Sequence, residues 1–189
     1  MSNILRSSTK LAMSIVKNYI EEGTVAVDAT CGNGHDTLSL IENGCSVVYA
    51  FDIQPEAISS AKKLLMANHM PKEAQAKFIL ANHRDIPLYV NEANVIIFNL
   101  GYLPCGDKTI TTKRDNTLSA VKNSLDILAV DGIISIAMYS GHKEGKEEKE
   151  ALLDFAKTLD KRIFHVAYIN LLNQPNNPPE ILLITRKEK

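Results

Sequence analysis

The sequence predicts an α/β fold: a seven-stranded, mostly parallel sheet with helices on both faces and an antiparallel last strand. Three observations carry that expectation. Short apolar runs alternate with amphipathic stretches of helical spacing, the pattern of a sheet covered on both sides. The first run, 24–28, ends in an acid and a Gly-x-Gly turn before a helix begins. The last two runs are joined by a connection too short for a crossover helix, so they pair antiparallel. With 189 residues, 45% of them hydrophobic, the chain is long enough for one domain, 1–189, with a sizeable core.

The elements follow in order. Over 8–22, Leu11, Ala12, Ile15, Val16, Tyr19 and Ile20 recur at 3- and 4-residue spacings. That predicts an N-terminal helix within 1–23 packing on the core, with Ser7 or Ser8 as N-cap and Gly23 as its stop. A strand at 24–28 and a helix at 36–43 come next, then a strand at 46–51 closed by Asp52. Pro55 suits the first turn of a helix running to Asn68. A short strand at 77–81 leads into Asn82-His83-Arg84-Asp85. The strongly apolar strand 93–98 ends in Asn99-Leu-Gly-Tyr102, and a polar loop covers 105–116. Helix 117–129, strand 132–139, a charged helix to 159, strand 163–171 and strand 181–185 complete the chain.

Totals exclude several functions. A net charge of -1 leaves nucleic-acid binding to local patches. The three cysteines, Cys31, Cys45 and Cys105, lack metal-ligand spacing, so no metal is expected, and they fit a reduced, cytoplasmic compartment. No apolar run approaches the ~20 residues that span a bilayer. Whether the chain forms a homodimer stays open.

The residues that carry chemistry cluster at strand ends. Glycines in a strand-to-helix turn let backbone pass close under a ligand, and the opening amides of the helix face the same place. An acid eighteen residues after Gly34, Asp52, can accept both hydroxyls of a ribose, and Gln54 could reach the same nucleoside. This predicts a nucleoside-containing cofactor. A nicotinamide cofactor competes, but its fingerprint wants a third glycine where this chain has Thr37. Asp28, four residues before Gly32, makes Asp-x-x-x-Gly-x-Gly, which resembles motif I of class I S-adenosylmethionine (SAM) methyltransferases.

At the end of the fourth strand, Asn99-Leu-Gly-Tyr102 stands where amino-methylating enzymes of this class carry Asn/Asp-Pro-Pro-Tyr/Phe. An Asn oxygen can accept N–H bonds from an amine and aim its lone pair, and Tyr102 can stack on a base. Methyl transfer is an in-line displacement, in which orientation can contribute roughly 7–11 kcal/mol. An alkylamine arrives protonated, with a pKa of about 10, and Asp85, His83, Asp107 and His142 are candidates to take its proton. His83 could instead bond the adenine edge. Arg6, Lys108, Lys113, Arg114 and His142 are candidate contacts for RNA.

The whole pattern resembles a small bacterial family of ribosomal-RNA-methylase-like SAM methyltransferases. It is carried by Asp-Ala-Thr-Cys-Gly-Asn-Gly-His-Asp-Thr at 28–37, Phe51-Asp-Ile-Gln54, Asn99-Leu-Gly-Tyr-Leu-Pro104, and Tyr139-Ser-Gly-His-Lys-Glu-Gly-Lys-Glu-Glu148. The resemblance implies the seven-stranded methyltransferase sheet and a cofactor held among Asp28, Cys31, Gly32, Asn33, Gly34, Asp36, Thr37, Asp52, Gln54, His83 and Asn99. It further implies methylation of the amino group of 5-aminomethyl-2-thiouridine at the wobble position of a tRNA anticodon loop, with a ribosomal RNA base as the alternative. Ser140 and Cys105 depart from the Pro and Gly common there.

Overall fold

The computed structural model describes residues 4–68, 71, 74–101, 114–175 and 177–187. The chain runs α1 (Ser8–Val16), β1 (Val25–Asp28), α2 (His35–Glu42), β2 (Val47–Asp52), α3 (Pro55–Ala67), β3 (Gln75–Leu80), a 3-10 helix (His83–Leu88), β4 (Ala93–Asn99), α4 (Arg114–Ile127), β5 (Leu128–Met138), α5 (Lys143–Lys157), β6 (Phe164–Ile169) and β7 (Glu180–Arg186). The seven strands form one sheet in the order β3-β2-β1-β4-β5-β7-β6. All neighbours from β3 to β5 are parallel, while β7 runs antiparallel between β5 and β6.

Side-chain alternation decides which helices cover which face. Ala26, Val95, Ile97, Ile133, Ala137, Ile181 and Leu183 meet Ala12 and Val16 of α1, Leu40 and Ile41 of α2, and Leu65 of α3. Their sequence neighbours Val27, Ile96, Phe98, Ile134, Ile136, Leu182 and Ile184 point the other way, against Ala120, Val121 and Leu125 of α4 and Leu152 and Ala156 of α5. A one-residue slip of β4 would exchange its two apolar sets between faces, so register is strongly specified there.

Several expected boundaries move by two or more residues, β3 starting at Gln75 and β6 ending at Ile169 among them, and two of the shifts show what moves them. The first helix stops being α-helical at Val16, well before Gly23; a 3-10 turn, Lys17–Tyr19, follows and Ile20 is extended. Asn18 is the cause the periodicity hid: its side-chain amide donates to the Ser14 and Ile15 carbonyls at 2.9 and 3.1 Å, satisfying groups that a continued helix would use. Ser7 caps the start as expected, accepting from the Lys10 amide. The helix predicted at 117–129 occupies Arg114–Ile127, and Leu128 already belongs to β5, opposite Ala93. Leu128 and Ala129 fit an apolar stripe of either period, so spacing alone does not place that boundary.

Candidate active site

Parallel pairing brings the C-terminal ends of β1, β2, β4 and β5 to one edge of the sheet. There the turn after β1 is held partly by its own polar atoms and partly by the ends of β2 and β4. The Asp28 carboxylate accepts the Thr37 hydroxyl at 2.6 Å and the Thr30 amide at 3.2 Å. Asp28 is fully buried, and burial pushes its carboxyl up to about 7, helped by the charges of Asp36 and Asp52. Asp28 therefore shapes the turn and ties it to α2, its carboxylate held below the surface by Thr30 and Thr37. Cys31 is also buried, its amide donating to the Phe51 carbonyl and its thiol beside Thr37. Burial raises that thiol, so it stays protonated and packs as a small apolar group.

Gly32 and Gly34 both take positive φ, 50° and 86°. Gly34 also has no room for a side chain, since a Cβ there would lie 2.7 Å from the Ala61 Cβ and 2.8 Å from the Ala61 Cα of α3. The turn thus holds α2 directly against α3. Asp52 closes β2 and accepts the Gly32 and Gln54 amides, each at 2.9 Å. Its carboxylate lies beside the glycine turn, half-buried, at the place where a ribose would be held. Gln54 occupies the N-cap position of α3 without a side-chain capping bond. Ile53, between them, is 51% exposed, an apolar surface next to that acid which motif reading passed over. Asn33 is half-buried in the turn.

The end of β4 is bound into the same structure. The Asn99 amide N–H donates to the Thr30 hydroxyl at 2.7 Å, and the Asn99 side-chain nitrogen donates to an Asp36 carboxylate oxygen at 3.1 Å. Thr30, missed in the sequence because it falls between the motif residues, therefore links the glycine turn to Asn99. Gly101 follows with φ 132°, and the Tyr139 ring, just past β5, packs beside it.

The remaining candidates separate. His83 is buried, edge-on to Phe98, and burial pushes its imidazole down to about 4, which favours the neutral ring. Asp85 pairs with Arg84 at 3.5 Å. His142 caps α5, its Nδ1 accepting the Gly145 amide at 3.1 Å. Arg6 and Arg114 are exposed. Tyr102, Cys105, Asp107, Lys108 and Lys113 lie outside the described residues. Among those described, no group of His, Cys, Asp or Glu could hold a metal ion, and no helix is long and apolar enough to cross a membrane.

Comparison with known proteins places this arrangement. Residues 48–185 match the family described as "Putative rRNA methylase". The chain belongs to that family. It is 36% identical to the chloroplastic tRNA (mnm(5)s(2)U34)-methyltransferase of Arabidopsis thaliana, over 96% of this chain and 70% of the relative's length. A crystal structure of a family member from Clostridium thermocellum superposes with a TM-score of 0.90 at 34% identity, covering 96% of this chain and 98% of the other. A methyltransferase structure from Streptococcus mutans in complex with SAH gives 0.86 at 35% identity, with the same coverage. The chain is a SAM-dependent methyltransferase, and the class I sheet expected from the strand pattern is the one it has. The glycine turn, the Asp52 carboxylate and the apolar Ile53 form a cradle whose chemistry fits SAM: small backbone, a hydroxyl-accepting acid and a surface for a flat ring.

Proposed function

We propose that the chain N-methylates 5-aminomethyl-2-thiouridine at the tRNA wobble position, giving 5-methylaminomethyl-2-thiouridine. The observation that carries this reading is the state of Asn99. Its side-chain nitrogen is committed to Asp36, so its oxygen is the atom left to meet a substrate. An acceptor at the end of β4 suits a nucleophile that bears N–H bonds. The similarity to a relative named for this tRNA reaction supports the same substrate class.

When bound, SAM supplies an electrophilic methyl group on a sulfonium. The chain's part is placement: Asp52 and the turn at 32–34 hold the nucleoside end, and the Asn99 oxygen accepts an amine N–H and turns its lone pair inward. Tyr102 stacks on the wobble base, which a single-stranded loop can splay out. Arg6, Arg114, Lys108 and Lys113 meet phosphate.

Mass spectrometry of tRNA nucleosides, with and without the enzyme and SAM, tests the proposal. Conversion of the aminomethyl to the methylaminomethyl nucleoside is expected. Because the family is described by ribosomal RNA, the second arm supplies labelled SAM with separate tRNA and rRNA fractions. Label found only in rRNA would overturn the tRNA assignment.

A further inference from the structure

We propose that Asp36 is a positioning residue for methyl transfer: its carboxylate locks the Asn99 amide in the one orientation that presents oxygen to the incoming amine. The inference rests on the function proposed above and assigns Asp36 a role different from holding the cofactor.

An Asn side chain is nearly symmetric in shape, and its two ends are chemical opposites. One end accepts and the other donates. Turned one way at the end of β4, the amide meets an amine N–H with an acceptor; turned the other way, it meets it with another donor and repels it. Something has to choose. An ionised carboxylate can only accept hydrogen bonds, so the Asp36 oxygen, 3.1 Å from the Asn99 nitrogen, permits only one of the two turns. The main chain is fixed independently by the bond from the Asn99 amide to Thr30 at 2.7 Å, so the remaining freedom is the side chain's own rotation. Asp36 sits in the first turn of α2, whose start is fixed by the close packing of Gly34 on Ala61. The anchor is therefore as rigid as the helix that carries it.

The sequence spacing gives no hint of this pair. The two residues are 63 positions apart, and Asp36 reads there as one more polar residue of the glycine turn.

The test compares Asp36→Ala, Asp36→Asn, Asn99→Ala and the double variant Asp36→Ala/Asn99→Ala. Turnover is measured on tRNA carrying the unmethylated aminomethyl nucleoside, alongside SAH affinity by calorimetry and melting temperature. Asp36→Ala should lower kcat by roughly 10- to 100-fold, the scale of a misplaced reacting group. SAH affinity should change less than about 3-fold, because the donor is held elsewhere. Asp36→Asn keeps one accepting oxygen and should lose less. The double variant should be no slower than Asn99→Ala, since a positioning residue has nothing to act on once its target is gone. A crystal of Asp36→Ala with SAH should show the Asn99 amide turned from its present direction.

Multiplying losses in the double variant would overturn the inference, as would a drop in SAH affinity that accounts for the whole loss of turnover. Slow Asn99→Ala with unimpaired Asp36→Ala would overturn this inference alone. Full turnover by Asn99→Ala would overturn the underlying reading of Asn99 and this one with it.

Discussion

At the scale of single residues, the site is governed by groups whose ionisation burial opposes. Asp28 holds its proton up to about pH 7 in the folded chain, against 3.8 in its ordinary state. Between those values the native state binds more protons than the unfolded one, so its contribution to stability falls as pH rises through that window. Asp28→Asn removes the ionisation and keeps the shape. The Asn oxygen can accept from Thr30, and the Thr37 hydroxyl can rotate to accept from the new amide while pointing its hydrogen at Cys31. Thermal melts from pH 4 to 8 should show the variant gaining on the parent as pH rises; a constant difference would refute the assignment. Cys31 and Cys45 make a second case. Burial raises both thiols, Cys45 to about 12, so the nucleophilic thiolate is scarce. Alkylation of the native protein followed by peptide mass spectrometry should leave both unmodified, and denaturant should expose them. Asp28 and Cys31 were legible as members of the glycine motif, but burial and exposure were not. A short motif says which residues surround a turn and is silent on which of them the fold keeps for itself.

At the scale of elements, two glycines set how helices dock. Gly34 combines φ 86° with contact against the α3 backbone, so Gly34→Ala meets both a conformational penalty and an overlap. Pairing it with Ala61→Gly should not restore stability, because the Ala61 Cα itself lies 2.8 Å from the added atom. Gly145 poses the same problem at α5. A Cβ there would fall 2.0 Å from the Tyr139 carbonyl oxygen, and a backbone atom cannot swing aside as a side-chain tip can. Each alanine substitution should cost about 1–3 kcal/mol by denaturant titration, the scale of forced overpacking. Gly145→Ala should in addition disturb the loop from Tyr139 to His142, since His142 caps the helix through the Gly145 amide. Elements of strong period were legible here: β1, β2 and β4 fall within a residue or so of expectation because their apolar runs end at an acid or an Asn. The end of α1 and the junction of α4 with β5 were not. Asn18 acts through a side-chain bond to carbonyls, and Leu128 fits a helix or a strand equally well.

At the scale of the molecule, β7 follows β6 in the chain and yet lies inside the sheet, between β5 and β6. A short connection predicts that β6 and β7 are antiparallel, and they are. Spacing cannot say which of them joins β5; the family resemblance supplied that, and the sheet order places β7 there. The consequence is that the parallel core from β3 to β5 ends on an open edge until β7 arrives. Ile181, Leu182, Leu183 and Ile184 then fill both faces at once, Ile181 and Leu183 against the side of α1, Leu182 and Ile184 against the side of α4 and α5. Burying each such side chain contributes about 1.5–3 kcal/mol, which for four of them is comparable with the whole ~5–15 kcal/mol stability of an ordinary domain. Removing 180–187 should therefore leave no cooperative unfolding transition and a poorly dispersed amide NMR spectrum, even though every residue of the glycine turn, Asp52 and Asn99 is retained. A truncated chain that still melted cooperatively and bound SAH would show that the cofactor half folds without β7, and that the antiparallel strand serves the substrate side alone.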